Sequence, residues 1–234
     1  MFKLAKPKID KTTEVVTKET RFESAQAWLS FGIDLESRRI QLDMDVTDVM
    51  SSLVFRALLK MADISNEPIE IYLSSYGGEA YSGLAIYDAI RASPCDIIVY
   101  ANGKIMSAGV LVFLAGDVRC ASKHTTFMMH SVSSGTEGKV KDQEIDVMEA
   151  KRINNIMLDI LSERTKMKRN WWYRKILSHD QYFDAAYAKE IGMVDTTPSK
   201  KIHSKKKLTK EVKPSKIKKS TKVKKNVRKS KKRK

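Results

Sequence analysis

Between Arg39 and Val194 the chain switches repeatedly between two hydrophobic periods, and this alternation limits the fold more than any other feature. Arg39-Ile40-Gln41-Leu42 reads as a short strand. Val49, Met50, Leu53, Val54, Ala57, Leu58 and Met61 then recur at helical spacing, which predicts a helix over roughly 47–62. Ile69–Leu73 alternates as a strand and runs into the turn signal Ser74-Ser75-Tyr76-Gly77-Gly78. A helix carrying Ala80, Leu84, Tyr87 and Ile90 stops before Pro94. The run Asp96–Tyr100 follows as a buried strand, then Asn102-Gly103 as a turn, and Met106-Ser107-Ala108-Gly109 opens another helix. Strands are expected at Val118–Ala121 and Thr126–His130, separated from a long helix over 140–164 by the Ser/Gly-rich stretch 131–138. That helix carries Ile145, Met148, Ile153, Ile156, Met157, Ile160 and Leu161 as a stripe broad enough to bury. Two shorter helices near 171–178 and 184–191 end at Gly192, with Met193-Val194 as a last strand. Strands and helices alternating with short connections specify the α/β class.

Charge divides the chain. Nineteen of its 44 Lys and Arg, against one of its 28 Asp and Glu, fall at 196–234, leaving 25 basic and 27 acidic residues in 1–195. The body is therefore near neutral, and the formal net charge of +16 belongs to a Lys/Arg-rich tail. With isolated aliphatics and no aromatics, that tail cannot offset its chain entropy by burial and is expected to be disordered. Three regions are expected: a mobile arm over 1–20, one globular domain over 21–195, and the tail over 196–234. The longest strongly apolar uncharged stretch, Ile105–Gly116, is well short of the roughly 18–20 residues of a membrane span. The first residues hold no apolar run of secretory-signal length. Cys95 and Cys120 form no CxxC, and His124, His130, His179 and His203 show no metal-ligand spacing. The expectation is a cytoplasmic protein of a reducing compartment, with no metal and no cofactor.

Several residues have the chemistry of a nucleophilic site. Ser107 sits at an expected helix start, where backbone N–H groups and the helix dipole favour developing negative charge. The Gly77-Gly78 pair, after the preceding strand, can turn amides outward at no steric cost. His130 ends a strand, and Asp180 lies in Ser178-His179-Asp180-Gln181-Tyr182 between two helices. Ser, His and Asp form a triad when a fold brings them together. Each also has a plainer role. Ser107 fits close helix packing, His130 a half-buried histidine, Asp180 a helix N-cap, and Cys120, the rival nucleophile, a small buried hydrophobe.

The combination goes further. Ile71–Gly78, Gly83–Asp88, Gly103–Gly109, Met128–His130 and Ala188–Asp195, in that order, resemble the proteolytic subunit of the Clp protease over roughly residues 33–195. The resemblance implies the ClpP/crotonase-like fold of repeated ββα units with a long handle helix. It also implies a serine endopeptidase with Ser107 as nucleophile, His130 as general base, Asp180 as the acid orienting that base, and the amides of Gly78 and Ala108 as oxyanion hole. The family pattern implies homo-oligomeric seven-membered rings stacked into a tetradecamer. An AAA+ unfoldase, which uses the ATP, would supply unfolded protein or peptide substrates.

The sequence departs from that pattern at several places. Tyr76 stands where the family usually has Pro, Ala108 where it usually has Met, and Ser131-Val132 where Gln-Pro is common. Trp171-Trp172-Tyr173 and the basic tail also stand apart, which suggests a divergent member, with a phage-type protease of head maturation as one alternative. Three other readings remain: a catalytically silent ring subunit, an acyl-CoA-processing relative of the crotonase group, and a tail that binds nucleic acid or an acidic partner.

Overall fold

The computed structural model describes residues 25–197 apart from residue 136. The expected arm over 1–20 and all but the first two residues of the expected tail lie outside the described residues. Residues 25–31 are helical and lead into a seven-stranded sheet. Strands β1 (Ile33–Asp34), β2 (Arg39–Leu42), β3 (Ile69–Ser75) and β4 (Ile97–Met106) lie side by side in that order. Beyond β4 come β5 (Val118–Ala121), β6 (Thr126–Met129) and β7 (Gln181–Asp184). Neighbours from β2 to β6 pair in parallel, while β1 and β7 pair antiparallel at the two ends.

Helices make the parallel crossovers. Helix α1 (Asp48–Ile64) joins β2 to β3 and buries Met50, Val54, Ala57, Leu58 and Met61, one face at helical spacing. Its start is capped by Thr47, whose hydroxyl accepts from the Met50 amide at 3.3 Å. Helix α2 (Ala80–Ala92) joins β3 to β4. Helix α3 (Ala108–Ala115) follows β4 and has all eight residues buried, so it forms the centre of the core rather than a wall of it. Helix α4 (Val140–Arg164) keeps its expected bounds. Helices α5 (Arg169–Ser178) and α6 (Ala185–Glu190) flank β7.

Four details differ from the sequence expectation. The Asn102-Gly103 turn lies inside β4, which runs on to Met106. There β4 changes partner, pairing β5 through Ile98–Ala101 and β6 through Lys104–Met106, and Gly103 at φ +66° takes up the change of direction. Strand β7 was not expected, because four residues between two helices carry almost no periodic signal. Met193-Val194 is not a strand. Both amides bond the Ala188 carbonyl, at 2.8 and 3.2 Å, wrapping the chain around the end of α6. The pairing comes later, where Thr196 bridges Cys120 on β5. Finally, only the second half of the α4 stripe is buried. Ile153, Met157, Leu158, Ile160 and Leu161 reach the core, while Ile145 and Met148 stay exposed because nothing among the described residues packs on the first turns.

Candidate active site

The site begins where β4 ends. Ser107 links β4 to α3 at φ +49° and ψ −124°, a backbone region that costs a non-glycine residue about 1–3 kcal/mol. It is held there because its amide bonds the Met128 carbonyl at 2.8 Å and its carbonyl accepts from the Val110 amide at 2.9 Å. The turn lifts Oγ out of the sheet. On the neighbouring strand, β6 delivers His130 one residue past its end, and Nε2 lies 2.9 Å from Ser107 Oγ. Both side chains are half-buried.

The glycine pair forms the opposite rim. Gly77 is at φ +99°, and a Cβ there would lie 2.7 Å from both the Met106 carbonyl oxygen and Ser107 Cβ. Gly78 is at φ +146°, and a Cβ there would run into the Val46 carbonyl oxygen. Val46 holds this segment like a short extra strand: its amide bonds Gly77 O at 2.7 Å and its carbonyl accepts from Glu79 N at 2.8 Å. Backbone groups alternate in direction along an extended segment, so the Gly78 N–H faces the edge away from Val46. Neither it nor the Ala108 amide, the first of α3, donates to any acceptor among the described residues. Tyr76 is exposed, and Lys104 Nζ sits 4.3 Å from its ring centroid, a cation–π contact in place of the rigidity of a proline.

These groups share one cleft of about 170 Å³, bordered by Gly78, Ser107, Ala108 and His130. Its apolar side consists of Leu111, Val132, Ile153 and Met157. The sequence reading took Ile153 and Met157 for core and did not place them at the site; their i, i+4 spacing on α4 was the available signal. Val46 acts through its backbone and left no signal.

Asp180 lies outside that cleft. It follows α5 and immediately precedes β7, its side chain is exposed, and among the described residues it makes no hydrogen bond or ion pair. Its position in the sheet is nonetheless informative. The antiparallel β6–β7 ladder runs from Thr126↔Asp184 to Met129↔Gln181, so the next step sets Asp180 across from His130. The chain after His130 turns to α5 instead, with the Ser131 amide bonding Ile176 O at 3.3 Å. The rival nucleophile is removed from this chemistry. Cys120 is buried on β5, and burial, with smaller contributions from the charges of Asp195 and Glu70, pushes its thiol up to about 11.

A strained serine at a strand-to-helix turn, a histidine on its hydroxyl and two undirected amides have the chemistry that acyl transfer requires. The family model described as Clp protease matches residues 23–201. The chain belongs to the Clp protease family. It is 33% identical over 164 residues to proteolytic subunit 2 of the ATP-dependent Clp protease of Corynebacterium diphtheriae, covering 69% of this chain and 82% of the relative. The corresponding subunit of Corynebacterium glutamicum is 32% identical over 180 residues, covering 74% and 89%. A ClpP1 mutant from Listeria monocytogenes superposes with a TM-score of 0.65 at 23% identity, over 70% of this chain and 92% of that one, a likeness that carries the fold. The chain is thus a Clp-type peptidase with the mixed α/β fold of that family. No helix among the described residues is long and apolar enough to cross a membrane.

Proposed function

We propose that this Clp protease family member is a serine endopeptidase subunit. Ser107 is the nucleophile, His130 the general base, Asp180 the orienting acid, and the Gly78 and Ala108 amides the oxyanion hole. The observation that carries this reading is the 2.9 Å approach of His130 Nε2 to Ser107 Oγ. With the imidazole proton on Nδ1, the serine O–H donates to Nε2. As Oγ bonds to the scissile carbonyl carbon, that proton moves to Nε2 and the carbonyl oxygen becomes the oxyanion. Collapse breaks the C–N bond, and the imidazolium returns the proton to the leaving amine. Water then repeats the sequence on the acyl-enzyme and frees Ser107. The apolar side of the cleft, with Leu111, Ile153 and Met157, suits an aliphatic side chain next to the cleaved bond. By family pattern the subunits form stacked rings, and an ATP-dependent unfoldase supplies the substrate. The unburied first turns of α4, with Val140, Ile145 and Met148 exposed, are consistent with a subunit that packs on copies of itself.

One observation favours a second reading, a ring subunit without activity: the Asp180 carboxylate is not engaged by His130. Labelling with a fluorophosphonate, read by intact mass on the full chain, decides between the two. The expected result is a single adduct that is absent from both Ser107→Ala and His130→Ala. An adduct that persists in Ser107→Ala moves the nucleophile elsewhere, and an unlabelled wild-type ring establishes the inactive subunit.

A further inference from the structure

A second cavity shares no lining residue with the Ser107–His130 cleft. It is a hollow of about 660 Å³ bordered by the start of α5, the residues before it and the α5–β7 junction. Lys166, Lys168, Arg174 and Lys175 line it, together with His179 and the indole of Trp171, and no carboxylate does. Elsewhere on the body four arginines are matched to acids, Arg39 to Glu70, Arg91 to Asp117, Arg119 to Asp195 and Arg152 to Glu149, while Arg38 and Arg164 bond backbone carbonyls. Arg169, one residue from the hollow, is turned away to Asp159 and Asn155, at 2.6 Å each. Two cations of the hollow stand without such a match: the side chains of Lys168 and Arg174 make no hydrogen bond or ion pair with described residues. Lys166 Nζ reaches only the Glu190 carbonyl, at 3.3 Å, and Lys175 Nζ lies 5.5 Å from the Trp171 ring centroid.

The like charges of Lys166, Lys168 and Arg174 around one concavity repel one another, and a bound anion would relieve that repulsion. The first turn of α5 adds to the same field. It has no acidic residue and no side-chain cap, and the amides of Arg169 and Asn170 find no acceptor among the described residues. The size and the wall narrow the ligand. One inorganic phosphate would leave most of 660 Å³ empty, whereas pockets of roughly 300–1,000 Å³ hold cofactor-sized molecules. Trp171 and Met167 supply an apolar wall beside the charges.

We propose that this hollow is a binding site for a phosphate chain, carried by a nucleoside triphosphate or by inorganic polyphosphate, with Lys168 and Arg174 as its principal anchors. The site is separate from the Ser107–His130 cleft and its occupancy does not depend on peptidase chemistry. It is tested by titrating the full chain with sodium tripolyphosphate and, separately, with ATP, at fixed physiological salt. Tryptophan fluorescence and calorimetry give the readout, since Trp171 is a wall of the site. Two double variants are compared with wild type. Lys168→Ala/Arg174→Ala removes two charges from the hollow, and Lys231→Ala/Lys232→Ala removes two from the C-terminal run. The Lys168 and Arg174 side chains are exposed, so their removal leaves the core intact, and circular dichroism checks the fold of both variants. The expected result is a saturable signal whose Kd rises at least tenfold in the first variant and stays unchanged in the second. Equal affinity for the two ligands assigns recognition to the phosphate chain alone, and tighter ATP binding adds a base on Trp171. A signal weakened equally by both variants, or no saturable signal with either ligand, overturns the proposal.

Discussion

Gly77 lies so close to Ser107 that a Cβ on the glycine would stand 2.7 Å from the serine's own Cβ. The requirement is double, because the same residue is at φ +99°, where a side chain is strained whatever the space. Gly77→Ala must therefore push the 77–79 segment off the Val46 carbonyl or displace Ser107. The expected outcome is a fall of about 10²-fold or more in the rate of fluorophosphonate labelling. Thermal unfolding should also show a loss of about 1–3 kcal/mol from the strained backbone. Wild-type labelling in this variant would mean that the glycine pair does not shape the site.

Asp180→Asn separates a chemical role from a structural one. The side chain is exposed and unbonded among the described residues, so stability should stay within about 0.5 kcal/mol of wild type in urea unfolding. If Asp180 swings to His130 Nδ1 in the working enzyme, peptide hydrolysis should still fall by about 10²–10⁴-fold, through loss of the correct tautomer. Unchanged turnover would remove Asp180 from the mechanism.

Arg119 holds the end of the domain to β5. Its backbone amide and Nε both donate to Asp195 Oδ2 at 2.9 Å, and Nη2 reaches Oδ1 at 2.7 Å. The arginine is nearly buried and the aspartate about two-fifths exposed. Asp195→Asn leaves a desolvated guanidinium without its counter-charge. Discounted for the exposed partner, the expected loss is about 2 kcal/mol. Denaturant midpoints compared at constant m-value provide the check.

A pH dependence follows from Glu149. Its hydrogen bond from Arg152, then that from Tyr81, hold its carboxyl down at about 2, against an ordinary value of 4.5. A carboxyl lowered by folding contributes stability that is fully present above the unfolded value and is lost as pH falls toward the folded one. The Tyr81–Glu149 link between α2 and α4 should therefore weaken between about pH 4.5 and 2. In acid unfolding curves Glu149→Gln should flatten that interval and leave the neutral region nearly unchanged. A wild-type slope in the variant would assign the acid transition to other carboxyls.

Much of this architecture was legible because its signals are local. The α1 stripe, the α4 bounds and the alternating β3 each declare their period within a dozen residues, and Ser107, His130 and the glycine pair fall at element ends that those periods define. What escaped depends on pairing between distant segments. Strand β7 exists because Phe183 and Gln181 have β6 to bond, not because QYFD has a strong pattern of its own. Asn102-Gly103 has the composition of a turn, but β4 has partners on both sides of it, so the strand continues. The relation of His130 to Asp180 is likewise a matter of register, which residue types do not encode. Ile145 and Met148 looked like core because periodicity reports an apolar face and not what covers it.

The three rungs Lys104↔Thr126, Ile105↔Phe127 and Met106↔Met128, closed by the Ser107–Met128 backbone bond, carry both Ser107 and His130. Oγ and Nε2 are therefore spaced by a ladder rather than by the chain that runs between them. Length changes in the exposed turn at Lys123-His124 leave that spacing intact, while a slip of one rung would point the histidine to the opposite side of the sheet. The Ser107–His130 pair is in this sense indifferent to the route of the chain and intolerant of its alignment, so insertions at the turn offer a place to attach new segments without disturbing the pair.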